Sequence, residues 1–172
     1  MTLTIETGSG NASADSYLSE TDADTYHANM GNAAWATYAT AAKEAALRQA
    51  TSYLDRVYAL RFPGIKGSST QALEWPRSSA YDRYGYELAS TAIPEAIKKA
   101  TAELALRAAV GDLQPDQDRG GRVKRETAKI GPIEEQTEYY DGAPSGTAYP
   151  RVDDTLAVIL KSGHSVVEVA RA

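Results

Sequence analysis

The chain has 172 residues, 24% of them charged, a formal net charge of -5 and no cysteine. That length suffices for one domain with its own core, burying roughly 70% of the surface that the unfolded chain exposes. The composition excludes disulfides, thiolate metal sites and thiol nucleophiles, and the mild acidity supplies no overall field that draws in nucleic acid or an anionic membrane.

At the N-terminus, "MTLTIETGSGNASADSY" has neither a basic n-region nor an apolar h-region, and no apolar run approaches membrane-spanning length, which reads as a protein of cytoplasmic origin. "LTIET" alternates as a short half-buried strand and "GSGNAS" ends it with turn formers, giving an extended N-terminal arm over residues 1–18. Ser19 followed by Asp22 predicts a helix start, and Gly31 suits its end, so a helix runs from about Glu20 to Met30. "NAAWATY" leads to a second helix capped by Thr40, with Leu47, Ala50, Leu54 and Val57 along one face.

The stretch "QALEWPRSSAYDRYGYELASTAIP" interrupts the helical pattern with aromatics and cations. Pro94 then opens a helix that sets Ile97, Ala100, Leu104 and Ala108 on one face, with Ala105 and Ala109 beside them. These small residues predict close packing against the Leu47–Val57 face. The breaker-rich "LQPDQDRGGR" ends the helical body, residues 19–113. Residues 114–150 read as a linker and hairpin arm. Within it, a two-residue turn at Gly131-Pro132 pairs Lys129 with Glu134 and Arg125 with Glu138. Residues 151–172 read as a short helix, capped by Asp153 or Asp154 with Leu156, Ile159 and Leu160 on one stripe, then a β-prone tail. The expected fold is mainly α: a small helical bundle with a β-hairpin arm, an extended N-terminal strand and a short C-terminal helix.

Catalysis needs a convergent acid, base or nucleophile, and the chain has two histidines. Asp24 and His27 share a helix face and could bind a metal given a third ligand, but a capped, acidic helix start beside a half-buried histidine is the stronger reading. His164 follows a helix-ending glycine and reads as surface. "GSGNAS" and "GIKGSS" lack the glycine spacing and Lys-Ser/Thr of a nucleotide-cradling loop. The carboxylate pairs Asp153-Asp154 and Glu134-Glu135 point apart and read as a cap and a solvated edge. No catalytic, cofactor or metal site is assigned, and the chain is not read as an enzyme. Trp75, Arg77, Tyr81, Arg83, Tyr84 and Tyr86 combine π-faces with cations. They suit either a stacking platform for single-stranded nucleic acid or a protein interface, and the net acidity favours protein.

The segments "LEWPR", "IPEAIKKATAELA" and "VKRETAKIGPIEEQTEYY" carry a resemblance covering nearly the whole chain. The sequence resembles the phage family labelled DnaT-like single-stranded-DNA-binding protein, and in its pattern is similar to the head-tail connector, or adaptor, proteins of tailed bacteriophages. The connector resemblance implies a virion structural subunit, made in the host cytoplasm and placed in the neck. It would assemble as a homo-oligomeric ring of twelve beneath the portal protein, dock stopper or tail-completion proteins, and let duplex DNA pass without specific binding or membrane contact. Its contact residues would be Trp75, Arg77, Tyr81, Arg83, Tyr84 and Tyr86, with Arg125, Lys129, Ile130, Ile133, Glu134, Glu138 and Tyr139 on the arm. The alternative is a single-stranded-DNA-binding accessory protein of phage replication.

Overall fold

The computed structural model describes residues 2–115, 125–130, 133–138 and 148–161. Two compact units are distinguished, Met1–Leu113 with Tyr149–Ala172, and Gln114–Ala148. The first contains α1 (Glu20–Asn29), α2 (Ala33–Ala36), α3 (Thr40–Tyr58), a 3-10 turn (Ala59–Arg61), β1 (Ile65–Lys66), β2 (Arg77–Ser78), α4 (Glu95–Ala108) and α5 (Pro150–Leu156). The chain is thus mainly α, as its periodicity predicts.

α1 starts where Ser19 accepts a hydrogen bond from the Asp22 amide, and Gly31 takes the left-handed φ of 72° just beyond its end. α3 and α4 pack on one another through Leu47, Ala50 and Leu54 against Ile97, Ala100 and Leu104, all fully buried. Two expectations need correcting here. Thr40 is the first helical residue after an Ala39 N-cap rather than the cap itself, and Val57 is 40% exposed while Tyr58 takes its inward place. α5 likewise starts at Pro150 without an aspartate cap; Asp153 instead accepts the Tyr58 hydroxyl at 2.7 Å and ties α5 to α3. Val152, Leu156, Ile159 and Leu160 of this region enter the core.

The N-terminal segment does not stand away as an extended arm. Ile5 and Ser16 form one parallel bridge instead of a strand, Tyr17 and Leu18 enter the core, and the Leu3 amide donates to Glu44 of α3. Its anchor is Tyr17: the hydroxyl donates to Asp55 and accepts the Trp75 amide, while its own amide donates to Thr51. Burial and the neighbouring Asp55 carboxylate hold the Tyr17 hydroxyl protonated by raising its pKa.

A polar node joins three helices under the bundle. Glu103 of α4, 2% exposed, accepts from Tyr26 of α1 at 2.8 Å and pairs with Arg107 at 3.0 Å and Arg151 of α5 at 3.2 Å. Burial alone would raise its pKa, but hydrogen bonds from Arg107 and Tyr26 and the charge of Arg151 outweigh that and lower it.

The second unit contains β3 (Arg125–Ile130) and β4 (Ile133–Glu138), antiparallel, with Arg125 opposite Glu138, Lys129 opposite Glu134 and Ile130 opposite Ile133. That is the register read from the sequence. The Gly131-Pro132 turn, Tyr139, Gly163, His164 and the tail lie outside the described residues.

Candidate nucleic-acid interface

The connection between the 3-10 turn and α4 divides into an inward half and an outward half. Trp75 and Arg77 belong to the inward half, contrary to their expected role as contact residues. Trp75 is fully buried in the core and meets Phe62 edge-on, the ring centroids 5.7 Å apart. Arg77 is 7% exposed and acts as an internal staple: Nε donates to Pro63 O at 2.7 Å, Nη2 to Gly64 O at 3.1 Å, and Nη1 to Glu74 at 2.8 Å. A planar guanidinium bonding in several directions satisfies carbonyls that a turn would otherwise leave unpaired. Gln71 does the same with its amide, donating to Leu73 O and Pro76 O while accepting the Ser68 amide.

The outward half is the loop "YDRYGYE". Tyr81 and Glu87 form an antiparallel bridge, and the Asp82 amide donates to Tyr86 O at 2.9 Å. The Gly85 amide donates to Asp82 O at 3.0 Å, and Gly85 has a φ of 86°, a conformation a side chain disfavours at this hairpin tip. Asp82 turns its carboxylate inward, one oxygen accepting from the amides of Tyr84 and Tyr86 at 2.9 Å each. With the backbone held this way, Tyr81, Tyr84 and Tyr86 point to solvent at 51%, 65% and 73% exposure. The Arg83 guanidinium lies 4.9 Å from the Tyr84 ring centroid. Three exposed phenol rings and a cation within six residues, on a fixed backbone, can stack planar π-systems.

Other candidates from the sequence resolve differently. The "GSGN" loop does wrap an anion, but the anion is the chain's own Glu6: its carboxylate accepts from the amides of Gly8, Ser9, Gly10 and Asn11 at 2.7, 2.8, 3.1 and 2.6 Å. Gly8 is required there, since its φ is 109° and a Cβ would meet Thr91 O at 2.1 Å. A glutamate two residues before a Gly-Ser-Gly run was the available signal. His27 is buried, with Nε2 3.1 Å from Ala102 O and Nδ1 3.1 Å from the Asn32 amide nitrogen. That pairing makes Nε2 the protonated nitrogen, and burial lowers the His27 pKa. Asp24 takes Trp35 Nε1 at 2.7 Å and Lys43 Nζ at 2.8 Å, so both members of the suggested metal pair are already engaged. No cluster of three or more metal-ligating side chains occurs among the described residues. An open cleft of about 750 Å³ between α3 and the end of α4 contains Arg48 and Arg56 but none of the tyrosine loop, and Arg48 is held by Asp15 at 2.7 Å.

Residues 1–172 match the family described as "Putative DnaT-like ssDNA binding protein". No curated protein and no solved structure matches the chain. The family match overturns the head-tail connector expectation, together with the virion ring, the portal and stopper partners and the passive duplex channel attached to it, because the matched family is described by single-stranded-DNA binding. The net charge that favoured a protein partner averages over carboxylates such as Glu6 and Glu103, which bond inward, and says little about the surface of one loop.

Proposed function

We propose, on the premise that the chain belongs to the DnaT-like ssDNA-binding family, that it is a non-catalytic single-stranded-DNA-binding protein whose Tyr81–Tyr86 loop is the platform on which bases stack. The observation that carries this reading is the trio of exposed tyrosines on a loop pinned by Asp82, with Arg83 against one ring. Aromatic stacking is indifferent to sequence because every base has a π-face, and it requires unstacked bases, which a single strand offers and a duplex does not. An acidic chain can bind DNA in this way, since stacking does not depend on a chain-wide positive field.

The test is fluorescence anisotropy with a labelled oligothymidylate and its duplex counterpart. The single strand should bind in preference to the duplex. Tyr84→Ala and Tyr86→Ala should each weaken binding about 5- to 150-fold, the equivalent of about 1–3 kcal/mol per stacked base, with circular dichroism and Tm unchanged because both side chains are solvent-exposed. Unaltered affinity in both folded variants, or absence of single-strand binding by the wild type, refutes the proposal.

A further inference from the structure

Stacking alone gives a strand no place for its phosphates, and the surroundings of the loop supply one; this inference rests on the single-stranded-DNA reading. Two backbone hydrogen bonds gather three segments distant in sequence around the short turn after α5. The Arg83 amide donates to Val158 O at 2.9 Å, and the Lys161 amide donates to Arg61 O at 2.9 Å. The tyrosine loop, the Val158–Lys161 turn and the 3-10 turn are therefore neighbours, and Arg83, Lys161 and Arg61 are all exposed on them.

The charge around these cations is balanced, and Arg61 already has one carboxylate beside it. Asp82 bonds inward to loop amides, and Asp153 accepts the Tyr58 hydroxyl at 2.7 Å while standing 3.9 Å from Arg61. Glu87 and Asp154 are exposed on these segments and the Asp153 side chain is 44% exposed, so three carboxylates stand against three cations. Arg61 also rests on the Tyr58 ring, its guanidinium carbon 5.5 Å from the centroid, which fixes the head without consuming its donors. Leu60, 94% exposed, stands beside it as an apolar contact for a sugar or base edge.

We propose that Arg61 and Lys161 hold the phosphates of the strand whose bases stack on Tyr84 and Tyr86, so that the strand runs from the tyrosine loop across the Val158–Lys161 turn to the 3-10 turn. The ligand class is an unpaired polynucleotide backbone, held by two or three phosphates at most. The two hydrogen bonds that assemble the surface use backbone atoms and survive side-chain replacement, although Arg61→Gln also gives up the contacts with Tyr58 and Asp153.

The experiment measures oligothymidylate affinity by anisotropy over a series of NaCl concentrations for the full chain. Each phosphate neutralised on a single strand contributes about -0.7 to the slope of log K against log salt. The double variant Arg61→Gln, Lys161→Gln should therefore flatten the slope by about 1.4. Tyr84→Ala should lower affinity and leave the slope as it was. Lys99→Ala, which removes an exposed cation on α4, should change neither. A wild-type slope in the double variant, alongside weakened binding by Tyr84→Ala, overturns the phosphate path and keeps the stacking site. An equal flattening by Lys99→Ala also overturns the path by showing diffuse attraction, and absence of wild-type binding overturns both readings.

Discussion

Replacing Glu6 by alanine tests whether the N-terminal segment is a built part of the body. The side chain is 1% exposed and its carboxylate receives four backbone N–H bonds, three on Oε1 and one on Oε2. A hydrogen bond to a charged group is worth about 1.5–3 kcal/mol net, but four on one carboxylate do not add fully, and the loop can admit water once emptied. Loss of a buried charged partner typically costs about 3–5 kcal/mol. For a chain of this size that lowers Tm by about 6 to 20 °C. Urea melts followed by tryptophan fluorescence would read the change, since Trp75 is buried in the unit that the segment joins. The vacated concavity should then respond to added formate, which is small enough to replace the carboxylate. A formate concentration ten times its dissociation constant would restore about 1.4 kcal/mol. Glu6→Gln should fall between, keeping an oxygen for some amides while setting an NH₂ group against another. A loss under about 1 kcal/mol in Glu6→Ala, or destabilisation that formate does not relieve, would refute the view that this carboxylate organises the loop.

Trp75→Ala should destabilise the monomer by about 3–5 kcal/mol; Trp75→Phe should cost less, because the indole N–H has no acceptor among the described residues and its loss leaves nothing unpaired. Chemical denaturation of both variants checks the order, and a fully stable Trp75→Ala would return this residue to the surface. Glu103→Ala should cost about 1–3 kcal/mol by removing the shared acceptor of Tyr26, Arg107 and Arg151, the two arginines being exposed enough to turn to water, and calorimetry would show it as a lowered Tm. The pH dependence has two opposed parts. His27, lowered by burial, contributes stability that is complete above about pH 6.5 and is lost as the pH falls, because only the unfolded chain then takes up the proton. Asp55, pushed up to about 6 by burial despite hydrogen bonds from Tyr17 and the Glu74 amide, contributes stability that is complete below about pH 3.9 and is lost as the pH rises through 6. Between pH 7 and 5 the two oppose one another in the wild type. Urea midpoints should accordingly rise over that interval in His27→Gln and fall in Asp55→Asn; parallel behaviour in all three proteins would contradict these assignments.

Much of the helical framework was legible because it is locally encoded. Ser19 and Asp22 announce α1, the three-and-four spacing of Leu47, Ala50 and Leu54 gives the buried face of α3, and Pro94 precedes α4. The ribbon register followed from a two-residue turn with opposite charges on either side. Trp75 and Arg77 were misread because tryptophan and arginine have the same identity in a core as at an interface. What decides is whether Arg77 can reach the carbonyls of Pro63 and Gly64, a contact between residues thirteen or more apart that no local pattern announces. The N-terminal segment was misread for a related reason, as its attachment passes through Tyr17, Asp55 and Trp75, three distant parts of the chain.

The acidity of the chain misled for a physical reason that also bears on the DNA reading. A formal charge of -5 counts every carboxylate equally. Glu6 is enclosed by amides, Glu103 by two arginines and a tyrosine, and Asp82 by the backbone of the loop it organises. At short range those bonds hold the carboxylates against donors of the chain's own, and beyond about 10 Å at ordinary salt the net charge is largely screened. An approaching strand therefore meets the phenol rings and the heads of Arg83, Arg61 and Lys161 before it meets the average of the chain. A basic stripe is needed only when phosphate neutralisation supplies most of the affinity; three exposed rings on a pinned loop reduce that need, and the salt slope should be shallow for the same reason.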